Sequence, residues 1–128
     1  RGIKMRGERI DLSNIYISYK IFFAQKSLTY ITVMEDNLSL LKASLNKFLN
    51  NSDVTIVNFV PGKKNNISNR QELLIKNTKL LINLGTKSLI IHSHHHLSID
   101  EDLERDQKIV TKLDRNVTMA HEGLKLII

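Results

Sequence analysis

Cysteine is absent from this chain of 128 residues. Its absence excludes disulfide bonds, thiolate zinc sites and a cysteine nucleophile. It also favours a reducing compartment, so we expect a cytoplasmic protein. No apolar run approaches the roughly 20 residues that a membrane-spanning helix needs, and the first residues do not have the pattern of a signal peptide. We therefore expect no membrane partner.

Glycine is scarce, with five residues, and proline occurs once. The chain has no glycine-rich phosphate loop and no G-x-S-x-G elbow. Composition is otherwise that of a globular protein, with 41% hydrophobic and 25% charged residues. We predict a basic flexible arm over residues 1–12 and a single α/β domain over residues 13–128. Because the chain begins with Arg1 and stops on apolar residues, we expect a fragment of a longer protein.

The arrangement of apolar residues predicts an α/β fold. Residues 15–23 alternate as a strand does, and residues 28–34 form a second β-rich run, so the two predict a hairpin. Its aromatic residues are interpreted as core residues, and the alternative is an aromatic strand surface that stacks bases. The aromatic residues concerned are Tyr16, Tyr19, Phe22 and Tyr30.

Two apolar runs predict a parallel pair of strands. Residues 54–60 and 89–91 are each typical of a buried strand, and a helical pattern with a capping box lies between them. Strand, helix and strand in this order predict a right-handed βαβ unit. The whole prediction is one mixed sheet in the order β-β-α-β-α-β-α-β, with a last strand over 117–128 and helices in two or three layers.

Positive charge suggests one class of partner. The formal net charge is +6, which permits binding to nucleic acid or to another anionic surface. Basic residues gather in the arm and around the loop after residues 54–60, where they would contact phosphates. The alternative is that both segments are simply solvated. The residues predicted to contact nucleic acid are Arg6, Arg9, Lys63, Lys64 and Arg70.

Four of the five histidines follow the strand that ends near residue 91. Alternation along a strand would point His92, His94 and His96 to one side, at the edge where α/β sheets bind ligands. Two or three of these imidazoles would bind zinc or a similar metal, with a carboxylate added from the next helix by Asp100, Asp102 or Asp106, and metal-bound water would be the nucleophile. The alternative is an exposed polar loop, with the acidic residues serving the start of the helix.

Residues 54–113 loosely resemble the JAB/MPN metalloprotease pattern, in which an apolar strand ends in a His-Ser-His motif and a helix follows. The resemblance implies a zinc ion held by two histidines and an aspartate, with a serine supporting the bound water. The residues that carry the resemblance are His92, Ser93, His94, Ser98 and Asp102.

The chain departs from that pattern in three ways. His95 stands where the family usually has proline, and the spacing from His94 to a usable aspartate differs. No upstream glutamate is clearly placed as the base, and Glu35 is the candidate. These departures favour an inactive relative over an active protease.

Two functions follow from the sequence. The first is a basic α/β binding domain that contacts nucleic acid or a protein partner. The second is a metal-dependent hydrolase, or an inactive relative of one, with a zinc site within residues 92–106. We favour the binding domain because it needs no convergent geometry of several side chains.

Overall fold

The computed structural model describes residues 5–11, 17–60, 67–93 and 100–126. These ranges hold six strands, three α-helices and one 3-10 helix. The strands are β1 (Met5–Asp11), β2 (Ile17–Phe23), β3 (Lys26–Met34), β4 (Val54–Val60), β5 (Ser88–Ser93) and β6 (Val117–Met119). The α-helices are α1 (Lys42–Leu49), α2 (Ile67–Asn83) and α3 (Asp100–Leu113), and the 3-10 helix over Glu35–Leu41 leads into α1.

The strands form one mixed sheet whose spatial order equals their order in the chain. β1, β2 and β3 pair antiparallel, whereas β3, β4, β5 and β6 pair parallel. The predicted α/β class with a mixed sheet is confirmed, and so is the parallel βαβ unit of β4, α2 and β5. Each parallel connection carries a helix, because a parallel strand pair needs a crossover.

The hydrophobic core lies between one face of the sheet and the helices. Alternate residues of β3, β4, β5 and β6 enter this core, because successive side chains of a strand point to opposite faces. All three described helices contribute apolar residues to the same core, so they pack on the same face of the sheet. The core residues are Ile31, Val33, Leu38, Leu45, Leu49, Val57, Phe59, Leu74, Leu81, Leu84, Leu89, Ile91, Val110, Val117 and Met119.

Strand β2 points Ser18 and Lys20 towards the helices and Tyr19 and Ile21 away from them. Ser18 and Lys20 are buried, whereas Tyr19 and Ile21 are exposed. The ammonium group of Lys20 donates a hydrogen bond of 3.0 Å to the carbonyl oxygen of Phe48, at the end of α1. Carbonyl groups at a helix end lack partners within the helix, so this lysine satisfies one of them. Tyr19 and Ile21 therefore lie on the face that the described helices do not cover.

Hydroxyl groups and one carboxylate join the loops at the amino end of the parallel strands. Thr29 and Ser52 share a hydrogen bond of 2.8 Å, and both are buried. Asp53 accepts a hydrogen bond from the backbone N–H of Ser27 at 2.8 Å and pairs with the ammonium of Lys87 at 3.0 Å. The Ser27 N–H and the Lys87 ammonium hold the pKa of Asp53 below its ordinary value. This carboxylate therefore stabilises the fold in its charged form.

We expect Asp53→Asn to lower the free energy of unfolding at pH 7 by about 1 kcal/mol or less, since the ion pair is partly exposed. The folded-state pKa lies below the unfolded value of about 4, so the stabilisation is present above that value and lost as pH falls through the folded pKa. Urea unfolding of both proteins across pH measures this. The two stabilities should converge in acid, and a gap that stays constant with pH contradicts the assignment.

The prediction of a flexible arm over residues 1–12 differs from the structure at Met5–Asp11, which form strand β1. This strand pairs with β2, so that Arg9 lies opposite Tyr19 in register. Glycine and alternating charges are unusual in a strand, which explains why the sequence suggests an arm. Strand β1 therefore forms because it pairs with β2, although its own residues have little preference for β structure.

The last strand is shorter than predicted. The sequence predicts a strand over 117–128, but β6 ends at Met119 and residues 120–126 lie outside any strand. Leu126 is exposed, so the alternation of its segment does not reflect a buried face. Pairing with β5 ends at Met119, and without a partner the apolar alternation does not produce a strand.

Within the described ranges, no helix combines the length and the apolar character needed to cross a membrane.

Candidate functional site on the open sheet face

The sheet face opposite the helices is largely apolar and carries two exposed tyrosines. We call it the open face. The strand register aligns the residues of this face in rows across the sheet. Tyr19 lies opposite Tyr30, and Tyr30 lies opposite Ile56 on the next strand. Val54 and Ile90 are buried on this side yet do not belong to the core beneath the helices. The open face is defined here by Tyr19, Ile21, Lys26, Leu28, Tyr30, Thr32, Ile56, Asn58, Ile90 and His92.

The described helices lie on one face of the parallel strands only. Parallel sheets occur almost only with both faces covered, because their strands are apolar on both sides. Here β4 has the apolar pattern of a doubly covered strand, but the described helices cover one side of it. On the other face of the sheet, Tyr19, Ile21 and Tyr30 are exposed, and a group of exposed large apolar side chains marks a binding site more often than it serves the isolated fold.

Tyr19 and Tyr30 form a cross-strand pair at the centre of the antiparallel part of the open face. Their side chains are 47% and 38% exposed, so both rings are accessible to a ligand. Directly opposite residues of an antiparallel pair have Cβ atoms about 5 Å apart, which sets the two rings side by side. The interpretation of these two tyrosines as core residues is therefore wrong. Two adjacent accessible rings provide flat surfaces on which planar groups can stack.

Asn58 and His92 add a polar pair to the same face, at the carboxyl end of β4 and β5. They lie opposite each other in register, and Oδ1 of Asn58 is 3.0 Å from Nδ1 of His92. The amide oxygen accepts, so the imidazole carries its proton on Nδ1. The residues that precede this pair on the same face of β4 and β5 are Ile56 and Ile90.

The predicted zinc site stays a prediction. His92 is exposed on the open face, while His94 and His96 lie outside the described residues. Asp102 belongs to α3, and its side chain is also outside the description. Within the described part of the chain, no group of three or more histidine, aspartate or glutamate side chains could hold a metal ion.

The residues predicted to contact nucleic acid do not form one described surface. Arg6 and Arg9 belong to β1, and Arg9 shares a register position with Tyr19. Arg70 lies on the helix layer, where its guanidinium group is 3.7 Å from Asp106 of α3 and both side chains are largely buried. Its role in the described structure is to join α2 to α3. Lys63 and Lys64 lie outside the described residues.

Two features of the open face were not found as site residues from the sequence. Asn58 interrupts the apolar run of residues 54–60, and a single amide in such a run is a signal that could have marked it. Lys26 lies opposite Phe23 on the rim of the open face and is exposed. It follows the β2–β3 turn directly, and nothing in the sequence separates it from other surface lysines.

Comparisons with known proteins add no relative. No protein-family model matches the chain, and neither the curated proteins nor the solved structures that were searched contain a match. The likeness of residues 54–113 to the JAB/MPN pattern therefore has no support beyond the motif itself.

Proposed function

We propose that the protein is a binding domain that takes single-stranded nucleic acid on its open face. The observation that carries the proposal is the exposed pair of Tyr19 and Tyr30 on the sheet face that the described helices do not cover. Proteins that bind single strands combine aromatic side chains, on which bases stack, with positive charge that attracts the backbone. Each stacked base contributes about 1–3 kcal/mol to such complexes.

Charge supports the same ligand. The net charge of +6 attracts a polyanion from a distance. Lys26 stands exposed at the rim of the open face, and Arg9 lies in register beside Tyr19. A single strand whose bases stack on the two tyrosines would have its phosphates near these two positions. The chain has no cysteine to be oxidised, and we place the protein in the cytoplasm.

A protein partner is the main competitor for the open face. Ile21, Leu28 and Ile56 give this face aliphatic surface that a protein could also bury. We favour nucleic acid because the exposed residues at the centre of the antiparallel part of the open face are two paired tyrosines, and because the chain is basic. A partner that buried only apolar surface would require neither feature. No observation in the described residues favours the metal-dependent hydrolase, and it is not proposed.

Equilibrium binding of fluorescently labelled oligonucleotides tests the proposal. We expect single strands to bind more tightly than a duplex of the same sequence, since paired bases cannot reach the tyrosines. We also expect the logarithm of the association constant to fall linearly with the logarithm of salt concentration, because bound phosphates release counterions. Absence of single-strand binding at low salt would overturn the proposal.

Two lysine substitutions distinguish binding at the open face from attraction of the ligand by the overall positive charge. We expect Lys26→Gln to weaken binding of every sequence and to reduce the salt slope by about one counterion. Lys112→Gln is the matched control, because Lys112 is exposed on α3 in the helix layer. Equal effects of the two substitutions would mean that binding is not directed to the open face.

A further inference from the structure

The outer edge of strand β6 is contacted by a side chain of helix α3. The order of the described strands places β1 and β6 at the two edges of the sheet. Asn116 and Ala120, which directly precede and follow β6, form backbone hydrogen bonds with β5. Because backbone groups of successive residues in a strand point to opposite sides, those of Val117 and Met119 point away from β5. These two residues therefore present their N–H and C=O groups at the edge of the sheet.

The side-chain amide of Gln107 binds a group of each of these two residues. Its Nε2 donates to the carbonyl oxygen of Val117 at 3.3 Å, and its Oε1 accepts a hydrogen bond of 2.7 Å from the backbone N–H of Met119. In a parallel sheet, one residue of a neighbouring strand makes the same two bonds, because it donates to one residue and accepts from the residue two positions later. The amide of Gln107 therefore occupies the place that a further strand would take.

Thr111 holds this amide in its orientation. Nε2 of Gln107 also donates to Oγ1 of Thr111 at 2.8 Å, and that hydroxyl donates to the backbone carbonyl oxygen of Gln107 at 2.7 Å. An amide side chain has two N–H groups and one oxygen, so all of its polar groups are engaged here. The two residues are four positions apart on α3 and therefore neighbours on one side of the helix, which keeps the amide directed at β6.

The two edges of the sheet differ in the features that oppose pairing with another chain. An edge strand is a template for a further strand, and charged side chains on it discourage such pairing. Four of the seven residues of β1 are charged, so charge protects that edge. Strand β6 has the sequence Val-Thr-Met, which carries no charge and begins with two β-branched residues that favour strands. Within the described residues, the contact with Gln107 is what closes the β6 edge.

We infer that Gln107 is an autoinhibitory contact, which keeps the β6 edge of one molecule from pairing with the β6 edge of a second copy of the chain. A second copy is the partner because every molecule carries the same edge, and two identical edges can pair about a two-fold axis. Without the amide, the C=O of Val117 and the N–H of Met119 lose their partner within the chain, and a strand of the second copy supplies one. This inference is independent of the binding of nucleic acid.

Sedimentation equilibrium of the protein without nucleic acid tests the inference. Gln107→Met keeps the length of the side chain and removes both hydrogen bonds to β6. We expect its dimer dissociation constant to be about tenfold lower than that of the wild type, because two backbone groups of each copy become available for pairing. Lys108→Met is the matched control, since Lys108 is exposed on the same helix and receives the same side chain. It should sediment as the wild type does.

Hydrogen exchange at the Met119 amide distinguishes pairing through β6 from association at another surface. In the wild type this amide should exchange slowly at every concentration, since it is bonded to Gln107. In Gln107→Met it should exchange quickly in dilute protein and slowly once dimers form. A Gln107→Met protein that does not dimerise more than Lys108→Met, or dimers in which Met119 still exchanges quickly, would overturn the inference. Thermal unfolding shows whether Gln107→Met is folded, and Gln107→Ala repeats both measurements if it is not.

Discussion

Replacing Tyr19 and Tyr30 together by alanine should weaken binding of a single-stranded oligonucleotide by about a hundredfold. Each stacked base contributes about 1–3 kcal/mol by alanine substitution, so each ring contributes about tenfold. The expected loss applies to all sequences, because the rings touch base faces and not base edges. Fluorescence anisotropy of a labelled strand at constant salt measures the change.

Two further substitutions at the same positions identify the chemistry of the contact. Tyr19→Phe with Tyr30→Phe keeps the aromatic faces and should retain most of the affinity. Tyr19→Leu with Tyr30→Leu keeps apolar surface without a π-face and should lose binding nearly as alanine does. If leucine binds as well as tyrosine, the face recognises its ligand through apolar burial, and a protein partner becomes the better explanation.

Isoleucines on opposite faces of the sheet should respond very differently to truncation. We expect Ile91→Ala to lower the free energy of unfolding by about 2 to 5 kcal/mol, because Ile91 is fully buried in the core beneath the helices. Ile21→Ala should cost about 1 kcal/mol or less, since Ile21 is 36% exposed on the open face. Urea denaturation of both variants measures the difference.

This pair is matched in chemistry and differs in location. Both substitutions remove the same atoms from a strand, so the preference of the residue types for β structure cancels in the comparison. A loss of similar size at Ile21 would mean that the open face is covered in the isolated protein. In that case the tyrosines next to Ile21 would not be available to a ligand, and the proposed binding site would fail with it.

The parallel core could be predicted from the sequence because its signals agree. Residues 54–60 form an apolar β-branched run, the segment after it has a helix capping pattern, and Gly85 follows the end of α2 with a positive φ of 98°. Strand β1 could not be predicted in this way, because its glycine and charges resemble a loop. It forms through pairing with β2, which is a tertiary effect.

The open face was only partly predictable. Alternation along residues 15–23 indicates a strand, but it does not say which side the helices cover. Apolar residues usually point to the core, and that expectation fails for β2, where Ser18 and Lys20 occupy the buried side. The reason is that Lys20 binds the end of α1, a contact between residues 28 positions apart that local patterns do not encode.

The histidine-rich segment, in contrast to the open face, is conspicuous in the sequence. The sequence marks residues 92–96 strongly, yet of these the structure gives a described side chain only to His92. That histidine binds Asn58, a residue that the histidine pattern alone does not indicate. Of the histidine-rich segment, the described structure therefore assigns a contact to His92 alone.

Intrinsic tyrosine fluorescence tests stacking on the open face most directly. The chain has no tryptophan and three tyrosines, so emission from Tyr19 and Tyr30 is not masked. Titration with an unlabelled single strand should quench most of the emission, and the variant with Tyr19→Phe and Tyr30→Phe should bind the strand while its remaining tyrosine keeps its signal. Binding of the strand to the wild-type protein without any change in tyrosine emission would contradict the proposed site.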